Sequence, residues 1–148
     1  MVSQKCQYAI RATFELARRQ GQGPVKIGEI AEAQSIPPRF LGGILNQLRG
    51  AGFVRSRRGA EGGYYLARHA DKLSVGEIIR FIEGPQVPVA CMDEKGAAGC
   101  PQQGRCVFLP MWRRASEAAS NVYDRVSFQD LLREESTLNN GAFISYCI

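Results

Sequence analysis

The sequence predicts a mainly α-helical protein with one small β-hairpin, arranged as a winged helix-turn-helix followed by a long dimerisation helix. Three observations lead to this prediction. Helical periodicity runs through residues 8–49, two β-like runs flank a glycine-rich turn, and a five-turn amphipathic pattern begins near Phe108. The 148 residues suffice for one well-buried core but are too few for two enzyme-sized domains.

The first three helices follow from apolar spacing and from the residues that interrupt it. The pattern over 8–17 predicts a helix of about four turns, stopped by the glycines that follow. A short second helix is predicted over 27–33 and is broken by Pro37-Pro38, and a third is predicted over 39–49. Because two short helices joined by a tight turn follow a longer one, the pattern indicates a helix-turn-helix.

A hairpin wing is predicted directly after the third helix. Residues 53–58 and 64–66 are the β-like runs, and residues 59–63 form the turn between them. These glycines are a poor match to a nucleotide loop, because they open no helix and no Gly-Lys-Ser/Thr sequence follows. The first run carries three arginines, Arg55, Arg57 and Arg58.

Positive charge is concentrated in the same half of the chain. Residues 1–80 hold thirteen Lys/Arg against six Asp/Glu, whereas residues 81–148 hold six against eight. A basic helix-turn-helix with a basic wing predicts binding to double-stranded DNA, since cations neutralise phosphates and helix residues read base edges. We expect Arg39 to read bases and the wing arginines to contact phosphates and the minor groove. For Asn46 and Gln47, which lie further along the helix, we expect contact either with base edges or only with the DNA backbone. The alternative is a solvated basic face on a module that docks a protein.

Gly42 and Gly43 lie inside the predicted third helix, where each glycine costs about 1 kcal/mol relative to alanine. Either they let the helix approach a DNA backbone closely, or an internal helix crossing needs the room. The sequence favours neither explanation.

After the wing, Ser74 and Glu77 form a capping-box pattern that predicts another helix, ended by Gly84-Pro85. Beyond Phe108 a long helix carries an apolar seam suited to a second copy of itself, and Ser127 then caps a short helix. The seam consists of Met111, Trp112, Ala115, Ala119, Val122 and Val126. The predicted organisation is a DNA-binding domain over 1–83, a cysteine-rich loop over 84–107, the dimerisation and following helices over 108–135, and a tail over 136–148.

Cys91, Cys100 and Cys106 lie in one Gly/Pro-rich loop, with eight and then five residues between them. Thiolates are preferred ligands of zinc and of iron-sulfur clusters, so the loop is a candidate metal centre. The total of five cysteines is odd, and no signal peptide or membrane-length apolar stretch is evident. We therefore expect a cytoplasmic protein with no membrane association, whose cysteines are ligands, sensors or buried thiols rather than disulfides.

Over roughly residues 3–132 the chain resembles the bacterial regulators that include IscR, NsrR and CymR, often called the Rrf-two type. The resemblance implies a homodimer that binds an operator, with an iron-sulfur cluster on the three cysteines controlling that binding, [2Fe-2S] being favoured over [4Fe-4S]. It rests on Tyr8-Ala9 with Arg11, Ile36-Pro37 with Phe40-Leu41, the run 48–54, Arg58-Gly59 with Gly62-Gly63-Tyr64 and Leu66, the cysteine loop and Trp112.

The fourth ligand of such a cluster is left open, because the chain departs from the family pattern. IscR-like members have a histidine three residues after the last cysteine, where this chain has Leu109. NsrR-like members use an acidic residue of the first helix, where Gln7 stands, and the only histidine, His69, follows the wing. The remaining weak candidates are Cys6, Gln7, Asp93 and Glu94. For Cys6 and Cys147 the alternative is a small buried hydrophobe. Gly42-Gly43 also replaces a Glu-Gln pair involved in base discrimination in IscR-like members.

Two other functions fit the same residues. The loop suits a cluster-free regulator that works through zinc or thiol oxidation, and the module also suits a regulator controlled by a docked partner protein. An enzyme is not expected, because no nucleophile, base and acid can be assembled around the single histidine. Whether operator binding activates or represses transcription does not follow from these residues.

Overall fold

The computed structural model describes residues 2–93 and 100–141, and within them it is mainly α-helical with one two-stranded antiparallel hairpin, as predicted. Glu94 and Cys147 lie outside the described residues. The elements are α1 (Gln4–Arg18), α2 (Ile27–Gln34), α3 (Pro38–Gly50), β1 (Val54–Arg57), β2 (Gly63–Leu66), α4 (Val75–Glu83), α5 (Leu109–Arg125) and α6 (Phe128–Asn139), with 3₁₀ turns at Ala70–Lys72 and Ala90–Met92.

The helix-turn-helix consists of α2 and α3, and α1 supports both. Ser35 ends α2 in the left-handed conformation, with φ at 50°, and Pro38 begins α3 at a position where a helix needs no N–H donor. α1 also contacts α4, α6 and β2, so one core joins the helices to the wing. Its largest fully buried side chains include Leu16, Ile30, Leu41, Leu45, Leu48, Leu73, Ile78 and Phe128.

A buried carboxylate joins α1 to α2. Glu15 is 1% exposed and accepts hydrogen bonds from Arg18 at 2.8 Å, Arg19 at 2.7 Å and Gln34 at 2.8 Å. Burying a charge without partners costs free energy, and these three donors offset that cost for the Glu15 carboxylate.

Serine caps begin the later helices, and one of those helices is longer than predicted. The predicted capping box of Ser74 and Glu77 starts α4, and Ser127 with Asp130 starts α6 in the same way. The last helix was predicted to end near residue 135, and this bound is wrong, because α6 continues to Asn139. Neither glycine nor proline occurs between Ser127 and Gly141, so nothing local stops the helix earlier.

α5 lies against α4 and is attached at its middle and near its C-terminal end. At the middle of the helix, the hydroxyl of Ser116 donates to the carbonyl of Gln86 at 2.6 Å. At its C-terminal end, Asp124 pairs with Arg80, and a Cβ at Gly76 would overlap Asp124, so glycine permits this crossing. No residue of α5 is buried. Within the described part of the chain, no helix combines the length and apolarity that a bilayer crossing requires.

Candidate functional site

The residues predicted to contact bases all lie on the exposed side of α3. Its buried face consists of Leu41, Ile44, Leu45 and Leu48, whereas Arg39, Asn46 and Gln47 are exposed. The guanidinium of Arg39 lies 4.6 Å from the ring centre of Phe40, within cation–π range. The carbonyl oxygen of Asn46 accepts from Arg49 at 2.6 Å, so its amide N–H₂ is the group left to contact a partner.

Among the described residues, the glycine pair in α3 creates no room that another part of the chain occupies. A Cβ added at Gly43 meets none of their atoms within 4 Å, and one at Gly42 meets only the Ile27 side chain at 3.8 Å, an ordinary contact. Gly43 instead faces a cavity of about 360 Å³ between α1 and α3. Packing within residues 2–93 and 100–141 therefore does not explain why α3 carries two glycines.

A basic cleft lies between the start of α2, the end of α3 and the wing. It has a volume of about 510 Å³ and is lined by four cations, Lys26, Arg49, Arg57 and Arg58. Arg49 donates to the hydroxyl of Ser56 at 3.2 Å, which joins α3 to β1. Arg55 is exposed on β1 but does not line this cleft. Lys26 and Arg49 were not among the residues predicted to contact DNA. The position of Arg49 just ahead of the predicted wing was a signal that could have included it.

The three cysteines of the predicted metal centre line one cavity of about 410 Å³. The cavity lies between the turn at residues 90–93, the segment 100–106 and the start of α5, which contributes Trp112 and Arg113. Each of the three thiol-bearing residues is half-buried. Among residues 2–93 and 100–141, no three His, Cys, Asp or Glu side chains are close enough to hold a single metal ion. The donor set nevertheless suits an iron-sulfur cluster, since cysteine thiolates are its usual ligands and a cluster spreads them over several irons.

The candidates for a fourth ligand lie in different places. Asp93 lines the same cavity as the three thiols. Cys6 is fully buried on α1, and burial together with the nearby Glu83 carboxylate raises the pKa of its thiol to about 11. Gln7 is exposed, and its amide donates to the carbonyl of Val2 at 3.2 Å. Neither Cys6 nor Gln7 lines the cavity, and Glu94 lies outside the described residues.

The predicted dimerisation seam divides into two faces of α5. Met111, Ala115 and Val122 are exposed, with Met111 50% and Val122 62% accessible. The other three predicted seam residues, Trp112, Ala119 and Val126, are half-buried within the chain itself. Since Trp112 lines the cysteine cavity, the helix presents one face to the thiols and another to the outside.

Comparison with known proteins gives consistent results for sequence and fold. The family model described as "Rrf2: Iron-dependent Transcriptional regulator" matches residues 2–134. The HTH-type transcriptional regulator CymR of Bacillus subtilis is 33% identical over 130 residues, which are 88% of each chain. The structure of T. potens IscR has a TM-score of 0.74 at 33% identity, covering 91% of this chain and 88% of that one. The structure of CymR (YrzC), described as the global cysteine regulator of B. subtilis, has a TM-score of 0.73 at 33% identity, covering 88% and 95%.

Proposed function

Because the chain belongs to the Rrf2 family of transcription regulators, we propose that it acts as a homodimer whose operator binding is controlled by an iron-sulfur cluster on Cys91, Cys100 and Cys106. The observation that supports this proposal is one cavity that is lined by all three cysteines and by the start of α5. That helix is attached to the winged helix-turn-helix, so the sensing and DNA-binding parts of the chain share one element.

DNA contact is assigned to α3 and to the basic cleft beside it. The four cations of the cleft would neutralise phosphates, which supplies affinity and makes it dependent on salt. Arg39 and Gln47 would reach base edges from the exposed face of α3. Gly43 has no side chain on this exposed face, which supports a close approach of the α3 backbone to the duplex.

The homodimer is assigned to the exposed face of α5. A 17-residue helix is about 25 Å long, and its outward stripe of Met111, Ala115 and Val122 continues through Ala118. An apolar stripe at this spacing is best removed from water by the same stripe of a second copy. A dimer would also place two α3 helices on successive turns of one duplex.

The three cysteines would hold the cluster, with [2Fe-2S] favoured, and the cluster when bound would supply a centre that responds to iron-sulfur status, oxidants or nitric oxide. Trp112 and Arg113 line the same cavity, so the conformation of the loop bears directly on the first turns of α5. Further along the helix, Ser116 attaches it to Gln86 at the start of the loop, and Asp124 attaches it to α4. A change at the thiols would therefore alter how α5 supports the DNA-binding domain.

The test is anaerobic purification of the full chain, followed by an absorption spectrum, iron and sulfide assays, and DNA binding by fluorescence anisotropy. We expect visible absorbance that Cys100→Ala abolishes, together with altered DNA affinity. Cys6→Ala is the matched control, because this thiol lies outside the cavity and its loss should leave the spectrum unchanged. Wild-type protein without iron, whose DNA binding is unaffected by Cys100→Ala, would contradict cluster control.

A second function is favoured by one observation: the described residues hold no compact site for a single ion, and relatives of the CymR kind are among the matches. In that case the three half-buried thiols would act by oxidation, without a cluster. Colourless protein whose DNA affinity changes on mild oxidation, and recovers with a thiol reductant, would identify this function.

A further inference from the structure

We infer that Asp93 is the fourth protein ligand of the cluster, supplied by the same chain as the three cysteines. The inference rests on the proposed function, because it requires that a cluster is bound at all. It assigns the position that neither the first helix nor the histidine of this chain fills, and it makes the ligand set complete within one subunit.

The first support is the backbone that carries Asp93. The 3₁₀ turn Ala90–Met92 is closed by two hydrogen bonds, from the Met92 N–H to the Val89 carbonyl and from the Asp93 N–H to the Ala90 carbonyl, both at 3.1 Å. Cys91 and Asp93 therefore both belong to one short, hydrogen-bonded turn, and both line the cavity that the other two cysteines line. A turn fixed in this way presents a thiolate and a carboxylate to the same cavity.

The second support is that the carboxylate of Asp93 has no partner among the described residues. The other three aspartates of the chain, Asp71, Asp124 and Asp130, all form ion pairs. Within residues 2–93 and 100–141, Asp93 forms none, although it is half-buried and Arg113 lines the same cavity. A carboxylate that is not engaged by a described cation is available as an oxygen ligand for an iron atom held by the neighbouring thiolates.

The third support comes from the competing residues. Cys6 is fully buried, and the raised pKa of its thiol disfavours the thiolate that a cluster would need. Gln7 offers a neutral amide that already donates to Val2. Both residues lie outside the cavity, so among the candidates within residues 2–93 and 100–141 only Asp93 combines a suitable donor with the right location.

A carboxylate in this position has a measurable consequence. Three thiolates and one carboxylate bring four negative charges to the cluster, and the Arg113 guanidinium on the same cavity offsets one of them. Replacing a charged ligand by neutral imidazole raises the reduction potential of an iron-sulfur centre. Asp93→His should thus keep the cluster and shift its potential upward, whereas Asp93→Ala should leave the fourth position without a protein ligand.

The experiment compares wild type, Asp93→Ala, Asp93→His and Asp71→Ala as anaerobically purified full-length protein. The readouts are iron per chain, the absorption spectrum, the midpoint potential from a dye-equilibrated titration, and the rate of cluster loss to a chelator. We expect Asp93→Ala to lose its cluster at least about tenfold faster, since even residues one shell further out commonly change metal affinity about 10- to 100-fold. Asp71→Ala removes the same charge from the surface elsewhere and should behave as wild type.

The possible results separate the two proposals. A wild type without iron overturns the proposed cluster itself. A wild type with a cluster, accompanied by an unchanged potential in Asp93→His and an unchanged loss rate in Asp93→Ala, overturns only the assignment of Asp93. If Asp93→Ala fails to fold by circular dichroism, the Asp93→His potential decides alone, because that variant retains a ligand.

Discussion

Gly43→Ala separates the stability of α3 from its function in DNA binding. Glycine within a helix destabilises it relative to alanine. At Gly43, a Cβ would meet no atom of residues 2–93 and 100–141 within 4 Å, so packing in this part of the chain does not require glycine. The substitution should therefore make the protein more stable. If α3 approaches DNA at Gly43, the same methyl group should make the protein a weaker DNA binder.

The expected magnitudes differ in sign and are both measurable. Removing the backbone entropy cost of glycine should raise the free energy of unfolding by about 0.5–1 kcal/mol. For a chain of this length, that corresponds to a rise in melting temperature of roughly 1–4 °C. A methyl group that holds the helix away from a phosphate would cost one charge-assisted hydrogen bond, about 1.5–3 kcal/mol, or about ten- to a hundredfold in affinity.

Gly42→Ala is the matched control, because it changes the neighbouring residue of the same helix. Its Cβ would contact the Ile27 side chain at 3.8 Å, inside the domain rather than toward a partner. Stability is measured by thermal and urea unfolding, and affinity by fluorescence anisotropy on a duplex recovered by in vitro selection with wild-type protein. We expect both variants to be stabilised and only Gly43→Ala to lose affinity.

The reasoning is refuted if Gly43→Ala is more stable and binds the duplex as tightly as wild type. The glycine would then have no function in the approach of α3 to DNA. A loss of stability in Gly43→Ala would refute the structural premise instead, since it would mean that some part of the molecule occupies the space beside this residue.

Three further predictions test the wing, a buried thiol and the dimer. Arg58→Ala should reduce the slope of log affinity against log salt concentration by about one unit per subunit. Arg133→Ala on α6 is the control and should keep the wild-type slope. If Arg58→Ala also keeps the wild-type slope, Arg58 does not contact the DNA. The pKa of Cys6 is raised to about 11, so its contribution to stability is complete below pH 9 and is lost as the pH rises toward 11. Between pH 9 and pH 11, the free energy of unfolding measured in urea should fall about 1 kcal/mol per pH unit more steeply for wild type than for Cys6→Ala. Parallel plots of that free energy against pH for the two proteins would argue against the raised pKa. Val122→Asp should give monomers by analytical ultracentrifugation, and a persistent dimer would place the interface elsewhere.

Local rules were enough to predict the helix-turn-helix and the wing. The Pro37-Pro38 break, the capping box of Ser74 and the glycine-rich turn each act on a few neighbouring residues, so their effect can be read without knowing the fold. The end of α6 was missed for the opposite reason. No residue between 136 and 140 forbids a helix, and the ion pair of Glu135 with Arg18 of α1, which holds the preceding turn against the core, is a tertiary contact that the sequence does not show.

The composition of the candidate sites was harder to predict than their approximate position. The basic cleft combines Lys26, Arg49 and the wing arginines, which come from three elements and become neighbours only after folding. The spacing of apolar residues in α5 identified a seam but did not distinguish its two faces. That distinction depends on the hydrogen bond of Ser116 and the ion pair of Asp124, which fix the rotation of the helix.

In the rotation that α5 adopts, one helix contacts or faces each of the three sites that the proposed function requires. Trp112 lines the thiol cavity, Val122 lies on the outward stripe assigned to the dimer, and Asp124 contacts α4. Directly after the helix, the carbonyl of Val126 accepts a hydrogen bond from the Val75 N–H at 2.9 Å, so the end of α5 is also joined to the start of α4. We expect a displacement of the first turn of α5 to reach the DNA-binding domain through these contacts. Under the proposed function, a coupling of about 1–3 kcal/mol between the cavity and the DNA-binding domain would change DNA affinity about 5- to 150-fold.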